Sequence, residues 1–150
     1  MSVKVIANNR KAKHDYFLLD TFEAGLVLKG SEIKSIRARQ ISIKEAYVRV
    51  TEREAWLVNA HIALYNPASM QNHEPRRERK LLLRRKQILK LWDEVRLKGL
   101  TIVPTQVYLS KGRAKAEIAL AKGKRKYDKR QVIAKRDAER EMRRAQKERG

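Results

Sequence analysis

The sequence predicts a mainly β fold, an OB-like closed β-barrel with flanking helices and a basic C-terminal tail that is disordered when free. Three observations point there. Several short segments alternate apolar and polar residues with a period of two. Tight turns join neighbouring segments as hairpins. Only two stretches carry a helical pattern, too few for a helical bundle, and small barrels with helices packed on them are a common nucleic-acid-binding architecture. The 150 residues suit one compact domain plus an appendage.

Taken in order, Tyr16-Phe17-Leu18-Leu19 runs as a strand toward Ala24-Gly25, and Leu26-Val27-Leu28 follows, with Gly25 as a turn or bulge. Gly30-Ser31-Glu32 opens a short helix with Ile33 and Ile36 on one side and Ser31 as its N-cap. Ile41 and Ile43 alternate with Ser42 and Lys44. Residues 46–50 and 55–62 form a hairpin around Thr51, Glu52 and Arg53. A polar loop runs from Asn66 to Pro75. A helix follows, clearest over residues 86–98, because Ile88, Leu91, Trp92 and Val95 share one narrow stripe. Gly99 stands where a C-cap glycine belongs. Residues 101–109 and 113–121 form a second hairpin around Lys111-Gly112. Body (1–127) and tail (128–150) divide where large apolar residues thin out to Val132, Ile133 and Met142, too few to fold alone.

The charge narrows the function. There are 37 Lys and Arg against 17 Asp and Glu, a net +20 at pH 7. Such an excess repels itself unless a polyanion relieves it. The absence of cysteine excludes a disulfide scaffold, a thiol nucleophile and a Cys-ligated zinc site, and suits a reducing compartment. No apolar leader stands at the N-terminus, and Leu81-Leu82-Leu83 is far short of a membrane span. The expectation is a cytoplasmic protein with no membrane partner.

The body carries net +16, concentrated in three clusters. Residues 76–90 hold Arg76, Arg77, Arg79, Lys80, Arg84, Arg85, Lys86 and Lys90 against Glu78 alone. Packed guanidinium groups need phosphates or carboxylates between them, local acids are scarce, and Arg binds phosphate bidentately. The second cluster, Asn9 to His14, includes Arg10, Lys11 and Lys13; the third runs from Lys122 through Gly123, Lys124, Arg125 and Lys126 to Tyr127. Gly123 allows close backbone approach to a phosphate, and His14 and Tyr127 offer flat faces for stacking on bases. Three clusters on one small body point to RNA or DNA. The tail has its own order: on a helical wheel Arg136, Arg140, Arg143, Arg144 and Lys147 share one face, opposite Ala134, Ala138, Met142 and Ala145. A helix this short is marginal alone, so it is expected to form along a nucleic-acid groove.

No P-loop, GxSxG or HExxH motif occurs. His14-Asp15 and His73-Glu74 are adjacent pairs without recognisable ligand spacing, and contact with RNA accounts for both beside basic clusters. No cofactor or metal is expected. Besides an RNA-binding protein without catalysis, two readings stay open: a ribosomal or rRNA-binding structural protein, and a nuclease using His14 and Asp15.

Six blocks then converge. Residues 9–17 (NRKAKHDYF), 22–26 (FEAGL), 30–37 (GSEIKSIR), 73–83 (HEPRRERKLLL), 99–104 (GLTIVP) and 123–130 (GKRKYDKR) stand in order, and the chain resembles the small protein B (SmpB) family, the tmRNA-binding proteins of bacteria. The resemblance implies an OB-fold body that binds the tRNA-like domain of tmRNA and joins a stalled ribosome, standing in for the missing codon–anticodon part. The tail would enter the empty mRNA channel as a helix, leading to peptide tagging and ribosome rescue. It implies Asn9, Lys11, Glu23, Leu82, Lys124 and Arg125 on the tmRNA surface. His14 and Tyr127 would face small-subunit rRNA at the decoding centre, and Lys129 and Arg130 would lead into the channel-lining tail. Elongation factor Tu within the tmRNA complex is a further implied partner, and the protein would act as a monomer. Three positions depart from the family pattern. Arg84 stands where relatives often carry His or Asn, Tyr127 where some carry His, and Ala145-Gln146 where some carry a large apolar pair.

Overall fold

The computed structural model describes residues 3–65 and 72–124. The chain opens with β1 (Lys4–Asn8), α1 (Arg10–Asp15), the long β2 (Tyr16–Leu26) and α2 (Gly30–Arg37). Next come β3 (Ile41–Ser42), the hairpin of β4 (Tyr47–Val50) and β5 (Ala55–Val58), then β6 (His61–Ile62). After β7 (Arg79–Leu82) and α3 (Arg85–Lys98), the hairpin of β8 (Thr101–Ser110) and β9 (Arg113–Gly123) completes the described part. Seven strands form one antiparallel sheet in the order β1-β8-β9-β2-β7-β5-β4, and β3 pairs with β6 separately.

The fold is mainly β, as expected, but the sheet does not close. It curls far enough to bring β4 against β8, yet no ladder joins edge strands β1 and β4. The stretch after β3 intervenes, and the Asn9 amide donates to the Ile43 carbonyl (3.0 Å), so one side chain spans a gap that a barrel would fill with backbone rungs. The core inside the curl gathers Ala24, Val48, Leu57, Leu81, Ile102, Val107, Ala116, Ile118 and Leu120, and α3 covers it with Ile88 and Leu91.

The α3 stripe and cap are as expected: Leu91 is fully buried, and Gly99 sits at φ 65° with its N–H on the Val95 carbonyl. The 111–112 turn also holds. Lys111 (φ 52°) and Gly112 (φ 75°) form the two-residue left-handed turn that suits strand twist.

Other expectations need correction. Residues 16–26 are one strand, and the break is a bulge between Leu18 and Thr21 rather than at Gly25. Ser31 is not the cap of α2. Lys29 occupies that position, with its N–H on Glu32 Oε1 (2.8 Å), while the Ser31 hydroxyl bonds His73 Nδ1 (2.9 Å). Two elements had no expectation, β1 and α1, and β7 lies inside what read as the approach to a helix.

Candidate nucleic-acid interface

Two of the three basic clusters meet. Helix α1 is anchored by its cap: Asn9 Oδ1 accepts from the Ala12 N–H (3.0 Å), and its amide donates to the carbonyls of Ile43 and Pro104. Ala12 packs with Val103 and Ala121, seating the helix on the sheet. Arg10, Lys11, Lys13 and His14 are left exposed. Lys11 pairs with Glu45 (2.7 Å) and holds that carboxyl below its usual range; His14 Nδ1 lies 3.0 Å from Asp15. Because Tyr16 pairs with Gly123, the end of β9 runs beside this helix. Lys124 donates to the Lys13 carbonyl (3.4 Å) and lies 5.2 Å over the Phe17 ring.

A second feature lies on neighbouring rungs of β8, β9, β2 and β7. Gly25 faces Lys115 on one side and Leu82 on the other, and Lys115 faces Tyr108. Lys115 donates to Glu23 Oε1 (2.7 Å) and the Tyr108 hydroxyl to Oε2, so both carboxylate oxygens are held. The lysine and tyrosine hydrogen bonds place the Glu23 carboxyl below its ordinary pKa, while burial and the facing carboxylate push the Tyr108 hydroxyl up. Glu23 is therefore an oriented carboxylate, with lone pairs still open to a further donor. Leu82 is 56 % exposed, and a Cβ at Gly25 would lie 3.3 Å from its own Cβ. Glycine at 25 lets this leucine lie across β2 as an apolar step beside the carboxylate.

The third cluster, residues 76–90, is divided by the structure. Arg79 was expected to meet RNA, but it is fully buried. Its Nε donates to Glu32 (2.6 Å) and its terminal nitrogens to the carbonyls of Ala60 and Pro75. Arg77 also donates to Glu32. Burial raises the Glu32 carboxyl, but the hydrogen bonds from Arg77, the Lys29 N–H and Arg79 outweigh it, so the carboxyl sits below its ordinary value. Lys80 pairs with Glu54 (3.7 Å), Glu78 with Arg49 (2.9 Å), and Lys90 with Asp20 (3.1 Å) while lying over Phe22. The carboxylates that space these cations come from distant segments. Arg76, Arg84, Arg85 and Lys86 remain exposed.

Two further expectations are corrected. Asn9 is 1 % exposed and its side chain is committed to capping, so it shapes α1 rather than touching RNA. His73 is buried, with Nε2 on the Ile62 carbonyl (2.8 Å), and ties the 72–79 segment to α2 and β6 instead of contacting RNA. Arg125, Tyr127, Lys129, Arg130, Arg136, Arg140, Arg143, Arg144 and Lys147 lie outside the described residues. Among the described residues no group of three or more His, Cys, Asp or Glu could hold a metal ion, and no helix is long and apolar enough to cross a membrane.

Sequence reasoning missed Tyr108 and Lys115. The signal was present: a two-residue turn at 111–112 sets Ser110 opposite Arg113, and counting back pairs Tyr108 with Lys115.

Comparison with known proteins agrees in extent. The family model described as "SmpB protein" matches residues 6–148. An "SsrA-binding protein" of Desulforudis audaxviator (strain MP104C) is 53% identical over 142 residues, covering 95% of this chain and 93% of the relative. An "SsrA-binding protein" of Sulfurihydrogenibium sp. (strain YO3AOP1) is 54% identical over 142 residues, with the same coverage. A solved chain from "tmRNA-SmpB: a journey to the center of the bacterial ribosome" superposes with a TM-score of 0.67 at 44% identity, over 79% of this chain and 83% of that one. With its six sequence blocks in order and a family match along almost its whole length, the chain belongs to the SmpB family.

Proposed function

We propose that this chain is an RNA-binding adaptor of trans-translation. It binds the tRNA-like domain of tmRNA, delivers it to stalled ribosomes, and so leads to tagging of the nascent peptide and ribosome rescue. The observation that carries the reading is the meeting of α1 with the end of β9, where Lys13, His14 and Lys124 gather at one end of β2, whose other half carries Glu23 and pairs with β7 at Leu82. The cations supply the phosphate contacts that dominate RNA affinity, and the oriented carboxylate and apolar step supply the selectivity that charge alone lacks.

The work divides between two parts of the chain. The body (1–127) docks on tmRNA through Lys11, Glu23, Leu82, Lys124 and Arg125, while His14 and Tyr127 face small-subunit rRNA. The tail (128–150) probes the empty mRNA channel as a helix with Arg136, Arg140, Arg143, Arg144 and Lys147 on its RNA side. The protein acts in the cytoplasm, as a monomer and without catalysis of its own, within a tmRNA complex that includes elongation factor Tu. Truncation after Tyr127 tests the division: tmRNA binding should persist and tagging in a reconstituted stalled-translation reaction should cease. Loss of both would place the tail in the main RNA site.

A further inference from the structure

A cup opens beside the paired strands β3 and β6, with a volume of about 280 Å³, lined by Ser42, Lys44, Glu45, Asn59, His61 and Arg76. Ser42 and His61 stand directly opposite in the β3–β6 register, so their side chains rise on the same face. Arg76 arrives from the segment before β7 and is fixed there: its Nη1 donates to Asn59 Oδ1 (2.7 Å), while Asn59 itself takes a left-handed conformation (φ 64°) and donates to the Glu45 carbonyl (3.1 Å). That contact leaves most of the five guanidinium N–H groups unspent. Ser42, Lys44 and His61 make no side-chain hydrogen bond or salt bridge among the described residues. Among the described residues one carboxylate lines the cup, Glu45; it is paired with Lys11 of α1 and also feels the charges of Lys44 and Arg76.

We propose that this cup binds a single phosphate group, with Arg76 and Lys44 supplying charge and Ser42 and His61 supplying hydrogen bonds. Each of the four donates an N–H or O–H whether the imidazole is neutral or charged, and a phosphate offers acceptor oxygens to all of them. The Lys11–Glu45 pair makes the cup continuous with α1, so the group it takes is a backbone phosphate of RNA docked on that helix. In this the inference rests on the reading of the chain as an RNA-binding adaptor; a free phosphate ion is the other source of the same chemistry.

The full chain serves for the test. Side-chain NMR resonances of His61 are followed during addition of inorganic phosphate, of sodium chloride at matched ionic strength, and of a tRNA-like-domain RNA whose binding is read in parallel by anisotropy. The expected result is that RNA and phosphate shift His61 and chloride does not. A further prediction concerns Lys44→Met with His61→Ala. It should lower the slope of log K against log salt by about 0.7–0.9, one phosphate fewer, with an unchanged melting curve. His61→Gln, which keeps an N–H donor, should restore part of the affinity. A shift with phosphate alone supports the anion site and overturns the RNA source. RNA binding with His61 unmoved and the slope unchanged overturns the cup while leaving the adaptor reading intact. A phosphate shift without RNA binding does the reverse.

Discussion

Glu32 shows how a single buried carboxylate can organise a basic protein. It takes hydrogen bonds from Arg77, Arg79 and the Lys29 backbone, and so fastens the segment before β7 to the start of α2. Removing one partner of a buried pair strands the other charge, so Glu32→Ala should lower unfolding free energy by about 3–5 kcal/mol in urea denaturation. Because its folded pKa lies below the ordinary 4.5, the stability it contributes is fully present above that value. It is lost as pH falls through the folded value. Acid titration of the wild type should therefore show a destabilising limb below about pH 4.5 that Glu32→Gln flattens. Glu23 makes the opposite kind of prediction. Deleting a negative charge should strengthen binding to any polyanion. If the carboxylate reads a base or a 2′-hydroxyl, Glu23→Ala should instead weaken tRNA-like-domain binding by about tenfold, the worth of one good hydrogen-bonded contact. The salt slope should not move, because a carboxylate neutralises no phosphate.

At the scale of elements, α3 and the β8–β9 hairpin were legible because each follows from local chemistry. The stripe of Ile88, Leu91, Trp92 and Val95 with a following glycine is a helix written in the sequence, and Lys111-Gly112 is a turn written there too. Leu91→Ala should cost about 2–5 kcal/mol. Gly99→Ala, at φ 65°, should cost about 1 kcal/mol by the same denaturation measurement. The short elements were not legible. Helix α1 is six residues of mostly basic side chains, and it exists because Asn9 caps it and the sheet seats Ala12. Strand β7 exists because β2 and β5 flank it, which no local pattern announces. The same locality misled the reading of residues 76–90. Acids near in sequence are too few to pair these cations, whereas Glu32, Glu54 and Asp20 arrive through the fold, and Arg79 turns inward to meet one of them. The candidate site was half legible for the same reason: clusters such as Arg10 to His14 are visible as runs, but the Tyr108–Glu23–Lys115 arrangement emerges only from strand register.

For the molecule as a whole, the net +20 is less uniform than a count suggests. Part of the body's charge is internal, tying segments together through buried or cross-element pairs. What remains outward is spread over the surface and includes runs on α1 and at the start of α3, around a sheet whose curl stops short of closure. This arrangement predicts selectivity and not mere stickiness, because non-specific affinity for RNA scales with the number of phosphates neutralised and decays with salt. Competition binding near physiological salt tests that claim most directly, with labelled tRNA-like domain of tmRNA challenged by bulk tRNA and by rRNA. The account predicts that the tRNA-like domain is retained against a large excess of either competitor. Equal displacement by all three would contradict it.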